Sequence, residues 1–186
     1  MVKRTRSSIL HEDEELPEIQ AEFHQSKICM AKNIGINAEI IEKCSSYSKT
    51  LRVVVYCKRF IYNSQIKHQH FKCEGRIRNC ELNEALKACI KILQSISFTK
   101  ELNDLRNSGM VNKSSKLISL APFLDDEGII RVGSKLEEAT SIPETRKHPM
   151  IIPYDHHFTK IIPRYNHIKY LHVGPQFLLH NVRQLF

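Results

Sequence analysis

The sequence predicts an α+β chain that is mainly helical, and three observations carry that expectation. Apolar residues recur at helical spacing around residues 50–61 and again from Leu86 onward. A β-textured stretch follows, in which Leu117, Ile118 and Leu120 precede Asp125-Asp126-Glu127-Gly128 and Ile129-Ile130-Arg131-Val132-Gly133 resumes after it. Helical texture then returns after Met150-Ile151-Ile152-Pro153. The chain is read in four regions: 1–40 a flexible acidic and basic segment, 41–115 a helical connector, 116–153 a β-hairpin and short-strand region, and 154–186 a second helical region.

Each element has a local reason. Residues 1–40 open with a basic tip and then carry Glu12, Asp13, Glu14, Glu15, Glu18 and Glu22 with no Lys or Arg between them, a solvated block. Thr50, Val53, Val54, Cys57, Phe60 and Ile61 fall on one helical face, with Arg52, Lys58 and Arg59 off it; the run of valines leaves a strand open as the alternative. Lys67 to Asn79 is polar, contains Gly75 and reads as a loop. Asn83 is placed as N-cap of the next helix, with Glu84 in its first turn. Its apolar stripe runs through Leu86, Cys89, Ile90, Leu93 and Ile96 or Ser97, and Lys87, Lys91 and Gln94 face outward. Thr99 is placed as the cap of a short helix that ends near Asn107-Ser108-Gly109.

The acidic run Asp125 to Gly128 closes the expected hairpin, and Pro149 and Pro153 fence a short edge strand. Asp155 or Thr159 is expected to cap the next helix. Pro163 lies inside it, where proline costs about 3 kcal/mol, so a break or kink is expected there. Gly174-Pro175 then ends one helix and starts the next.

The chain of 186 residues has 41% hydrophobic residues and no Trp, and carries a net charge of +8. That balance favours polyanionic partners, while a merely basic soluble protein remains the plainer alternative. Cys29, Cys44, Cys57, Cys73, Cys80 and Cys89 follow no secretory-type apolar segment, so reduced thiols in a cytoplasmic or nuclear setting are expected. No apolar run reaches the length of a membrane span, and no membrane partner is expected.

Several constellations could carry chemistry. Asp125, Asp126 and Glu127 are adjacent in a turn, where carboxylates diverge rather than converge on an ion. His68, His70, Cys73 and Cys80 are metal-ligand types at a spacing that matches no structural zinc motif. Cys57 and Cys89 lie on apolar helix faces, where a thiol behaves as a small hydrophobe. No residue is assigned a catalytic role. His167 and His172 form a His-x4-His pair, which can supply half of a tetrahedral zinc site or be two ordinary histidines. Lys160, Arg164, Lys169 and Arg183 are interleaved with Tyr165 and Tyr170, and basic residues among aromatics suit contact with nucleic acid.

The stretch from Leu120 to Phe186 weighs these possibilities together. It reads Leu-Ala-Pro-Phe-Leu-Asp-Asp-Glu-Gly-Ile-Ile-Arg-Val-Gly from Leu120, then Lys147-His148-Pro149-Met150-Ile151-Ile152-Pro153 and Asp155-His156-His157-Phe158-Thr159-Lys160, and ends in His167-x4-His172-Val173-Gly174-Pro175-Gln176. This strongly resembles the polyprotein of Bel–Pao retrotransposons at the entry to integrase, including its amino-terminal His-His-Cys-Cys zinc domain. Upstream, Leu16-Pro17-Glu18-Ile19, Tyr47 to Val54, Arg59-Phe60-Ile61 and Leu82-Asn83-Glu84-Ala85 look like the connector after the ribonuclease H region, with less specific motifs. Ser134-Lys135 stands where the family has Gly-Arg, Val173 where it has Ala, and Pro163 is a further departure.

The resemblance implies that 154–186 is the first half of the integrase zinc-binding module, with His167 and His172 as two zinc ligands. The Cys-x2-Cys half and the carboxylate-bearing catalytic core are expected beyond Phe186. It therefore implies a polyprotein fragment without catalysis of its own, serving DNA integration through zinc-stabilised folding, integrase self-association and contact with DNA or RNA. Zinc is expected to be weak or absent here and firm only in the complete domain. The competing reading is a domesticated or vestigial non-catalytic nucleic-acid-binding or interaction protein whose helical middle does the binding.

Overall fold

The computed structural model describes residues 38–64, 72–133, 147–183 and Phe186. Six α-helices and one two-stranded antiparallel sheet lie among them. The helices are α1 (Ala38–Glu42), α2 (Tyr47–Asn63), α3 (Asn79–Ser97), α4 (Thr99–Ser108), α5 (His157–Lys169) and α6 (Pro175–Arg183). A 3₁₀ turn (Ile118–Leu120) precedes strands β1 (Phe123–Leu124) and β2 (Ile130–Arg131). The mainly helical α+β expectation holds. The acidic segment of residues 1–37, and His68 and His70, lie outside the described residues. No described helix is long and apolar enough to cross a membrane.

The chain divides into two units, Ile36–Arg59 with Glu74–Phe186, and Met1–Gly35 with Phe60–Cys73. In the second, the end of α2 is held by its own side chains. Asn63 accepts from the Cys73 N–H at 2.8 Å and donates to the Cys73 carbonyl at 3.3 Å, while the Ser64 hydroxyl donates back to Phe60.

In the larger unit, the main core joins α1, α2, α3 and α5 through Ile41, Leu51, Val54, Ile90, Leu93, Phe158 and Ile162, with Phe186 packed in as well. Each fully buried aliphatic or aromatic side chain contributes roughly 1.5–3 kcal/mol. A smaller cluster of Leu102, Leu105, Leu117, Ile130 and Ile151 seats the hairpin on α4.

Helix α2 forms as expected, but its buried face is rotated. Tyr47, Thr50, Leu51, Val54 and Val55 are buried, whereas Phe60 is exposed and Val53 and Cys57 are only partly covered. Thr50 spends its hydroxyl on the Ser46 carbonyl, which lets it sit in the core. Helix α3 begins four residues before the expected cap Asn83. Its N-cap is Arg78, whose N–H is accepted by Glu81 at 2.8 Å, so a third-position carboxylate does the capping. Thr99 is not the cap of α4 either; Phe98 holds that position, and the Thr99 hydroxyl bonds back to Ser95. The predicted end is right, with Gly109 in the left-handed region at φ 71°.

Gln94 is the largest departure on α3. Expected to face solvent, it is fully buried and reaches the hairpin. Its amide nitrogen donates to the carbonyls of Ile130 (2.9 Å) and Ile151 (2.7 Å), and its oxygen accepts from the Ile130 N–H (2.7 Å). A glutamine can meet a donor and two acceptors at once, so it serves an edge strand as a neighbouring strand would.

The hairpin is shorter than the sequence suggests, because Ile118–Leu120 turn as 3₁₀ and β1 begins at Phe123. Phe123 pairs with Arg131 and Leu124 with Ile130. Met150–Pro153 adds a single bridge to Arg131 and an Ile151 N–H to Ile130 bond rather than a full strand. As expected, the turn carboxylates diverge. Asp125 accepts from the Glu127 and Ile129 N–H groups and pairs with Arg131, Glu127 pairs with Lys87, and Asp126 is exposed.

Neither Asp155 nor Thr159 caps α5. His156 does, its Nδ1 accepting from the Phe158 N–H at 3.1 Å. The helix also runs through Pro163 without the expected break. The ring forfeits one backbone hydrogen bond, but Phe158, Ile161, Ile162 and Asn166 are all buried on the adjoining face, and their packing offsets a loss of about 3 kcal/mol. Helix α6 starts at Pro175 as predicted.

Candidate metal site and basic groove

A His-x4-His pair poses a geometric problem. At 3.6 residues per turn, side chains five apart on a continuous α-helix point about 140° away from each other. The structure solves it by ending α5 at Lys169. Tyr170 is the C-cap, and Leu171 and His172 both take left-handed φ, 56° and 61°. The reversal is held by the His172 N–H to His167 carbonyl bond at 2.8 Å and brings the imidazoles to a centroid separation of 4.8 Å.

The proton positions follow from the partners. His167 Nδ1 lies 3.2 Å from the Val173 carbonyl, which can only accept, so Nδ1 carries the hydrogen. Nε2 then keeps its lone pair, and His172 Nδ1, 3.0 Å away, donates to it. A ring N–H tied to a backbone carbonyl is the usual support of a metal-ligating histidine, because it fixes the tautomer and aims the other nitrogen. Two nitrogen ligands at about 2.0–2.1 Å from one zinc, at a tetrahedral angle, stand roughly 3.3 Å apart. The 3.0 Å pair is within a few tenths of an ångström of that span. To ligate through Nδ1, the neutral His172 ring would carry its hydrogen on Nε2 instead, and protons compete with the ion for both ligating lone pairs, so binding by this pair weakens in acid.

These two histidines are the whole donor set among the described residues. Among the described residues no group of three or more His, Cys, Asp and Glu side chains could hold a metal. His148 Nδ1 donates to the Val132 carbonyl at 3.2 Å, and His157 Nε2 donates to the Cys44 carbonyl at 3.1 Å. His156 has its Nε2 buried without a hydrogen-bond partner, 3.7 Å from Glu42, and burial holds its pKa below the usual imidazole value. Cys44, Cys57, Cys73, Cys80 and Cys89 are free thiols, and burial raises Cys57 and lifts Cys89 to about 12.

Leu171 marks the strained point of the reversal. It is 88% exposed and packs on little, yet holds a backbone geometry that favours glycine. Leu171→Gly is therefore expected to stabilise the chain by about 0.5 kcal/mol, a rare gain from placing glycine next to a helix. Chemical denaturation of the two proteins checks the sign.

The four basic residues singled out by sequence do not share one face. Lys160, Arg164, Lys169 and Arg183 are all exposed. Arg164 and Lys169 line a cavity of about 570 Å³ against the start of α2, whereas Lys160 and Arg183 line neither it nor its neighbour. That neighbour, about 350 Å³, shares Tyr47, Ser48, Tyr165 and Lys169 with the first and brings in Arg52. The Lys169 ammonium sits over the Tyr165 and Tyr170 rings, 5.8 and 5.2 Å from their centroids. Arg52 was legible in the sequence only as a charge off the apolar face; no spacing ties it to residues more than a hundred positions away.

The fold and site together define a mainly helical α+β protein with a paired-imidazole turn and a basic groove beside it. Comparison with protein-family models, curated proteins and solved structures finds no match.

Proposed function

We propose that this chain contributes the connector and the histidine half of an integrase-type zinc-binding module of a Bel–Pao-like retrotransposon polyprotein. The observation that carries the reading is the His167–His172 pair. A left-handed turn brings the imidazoles together, and the Val173 carbonyl fixes the tautomer of His167. In this reading the protein acts in DNA integration through metal-stabilised folding and through contacts to nucleic acid and to other integrase copies, in the cytoplasm or nucleus. It performs no catalysis by itself.

The two imidazoles can bind a borderline-soft divalent ion, with water in the remaining positions. Titrating the full chain with zinc, or with cobalt(II) as a spectroscopic stand-in, is expected to give weak one-to-one binding, with Kd of about 10 μM or higher. His167→Ala and His172→Ala should each abolish it, and His180→Ala should leave it unchanged. Submicromolar affinity, or binding that survives both substitutions, would show that other ligands hold the ion. The domesticated nucleic-acid-binding reading draws its support from the basic groove, which needs no metal.

A further inference from the structure

Three cations from two helices converge where no described carboxylate pairs with them. Arg52 projects from α2, and Arg164 and Lys169 from α5, into the two adjoining cavities. Among the described residues, no Asp or Glu lines either cavity. None of the three makes a salt bridge with a described carboxylate, although lysines elsewhere do, among them the exposed Lys43 with Glu39 and the partly covered Lys58 with Glu84. Clustered like charges raise each other's free energy, and a bound anion relieves this.

The rest of the lining narrows the ligand. Ser45, Ser46 and Ser48 add hydroxyls on one side, and Asn83 and Asn181 add amides on the other. Tyr165 and Tyr170 border the groove with partly exposed rings. Cations spread over joined cavities, neutral hydroxyl and amide donors, and aromatic edges make a track for a phosphate chain rather than a socket for a single carboxylate.

We infer that the groove between α2 and α5, with Arg52, Arg164 and Lys169 as its cations, binds the phosphodiester backbone of a single nucleic-acid strand. Arg52 and Asn83 belong to the connector, outside the stretch that resembles the zinc domain, so the site is built by the two regions jointly. The inference rests on the nucleic-acid part of the proposed function and is independent of its metal part.

The test is fluorescence anisotropy of the full chain with a labelled single-stranded oligonucleotide of about 20 nucleotides. Measurements run with chelator present and between about 50 and 200 mM salt. Three phosphate contacts predict a slope of log K against log salt of about −2, from roughly −0.7 per contact on a single strand. The triple variant R52A/R164A/K169A is expected to bind at least about tenfold more weakly with a slope shallower by about 2. The charge-preserving pair R52K/R164K should stay within about threefold of wild type, and Lys113→Ala, remote from the groove, should not change binding. Wild-type binding by the triple variant would overturn the inference. So would a marked preference for duplex of the same sequence, or displacement by micromolar inorganic phosphate, which would assign the groove to a small anion. Because chelator is present throughout, failure here is distinct from failure of the zinc titration.

Discussion

Gln94→Ala is expected to destabilise the protein by roughly 3–5 kcal/mol, among the largest effects of any single substitution in the chain. The side chain is fully buried and makes three hydrogen bonds of 2.7–2.9 Å to backbone groups of β2 and of the segment after His148. Truncation opens a void. It also removes a partner from the Ile130 N–H and from the Ile151 carbonyl, each a buried polar group whose loss of a partner costs about 1–3 kcal/mol. Gln94→Leu fills the void but not the hydrogen bonds, so it should recover only part of the loss. Gln94→Glu should be the worst of the three near neutral pH, because a carboxylate would face two carbonyl oxygens. Thermal unfolding should show a fall of roughly 10 °C for the alanine variant. Amide exchange should quicken first at Ile130 and Ile151, while α2 and α3 stay protected. A midpoint within about 2 °C of wild type would mean that the hairpin is seated by Leu102, Leu105 and Leu117 alone.

Gln94 also shows where reading the sequence stops. Helical periodicity located α2 and α3, because burying one face of a helix leaves a 3.6-residue imprint, and start and stop residues located α4 and α6. That imprint classes residues by polarity alone. A glutamine on the edge of an apolar stripe therefore reads as solvent-facing, whereas here it meets backbone groups that lie 36 and 57 positions further along the chain. The caps failed for a related reason. Asn83, Thr99, Asp155 and Thr159 are sound capping residues locally, yet other residues hold the cap positions. Glu81 and Arg59 pulled α3 back to Asn79, and His156, against α1, starts α5. Pro163 is the same lesson in reverse, a local penalty overridden by four buried neighbours.

The candidate site was half legible. The histidine pair stands in the sequence, and its resemblance motif picks it out from ten histidines. The turn that makes it a pair does not, since Leu171 and His172 are unusual residues for left-handed geometry. Of the four basic residues proposed from sequence, Arg164 and Lys169 share a groove and Lys160 and Arg183 do not line it. Arg52 joined them only through packing of α2 on α5.

Glu81 carries the second large effect. Its carboxylate accepts from Arg59 Nε at 2.7 Å and Nη2 at 2.8 Å and from the Arg78 N–H at 2.8 Å, while the guanidinium also donates to the Gly75 and Arg76 carbonyls. One ion pair thus fixes the end of the loop, the start of α3 and the C-terminal part of α2. The two side chains are only 11% and 17% exposed. Removing one partner of a largely covered pair strands the other, so Glu81→Ala should cost roughly 3 kcal/mol, and Glu81→Gln, which keeps the shape and loses the charge, about half of that. The Arg59 hydrogen bonds, and after them the Arg78 N–H, pull the Glu81 carboxyl from 4.5 down to about 2. Folding therefore favours the ionised form. The contribution is complete above pH 4.5 and is lost as pH falls toward 2, where the folded protein also takes up the proton. Urea midpoints measured across that window should fall more steeply for wild type than for Glu81→Gln, and the two curves should converge at the acid end. Curves that stay parallel would mean that Arg59 holds the α3 start through the Gly75 and Arg76 carbonyls, with the carboxylate contributing little.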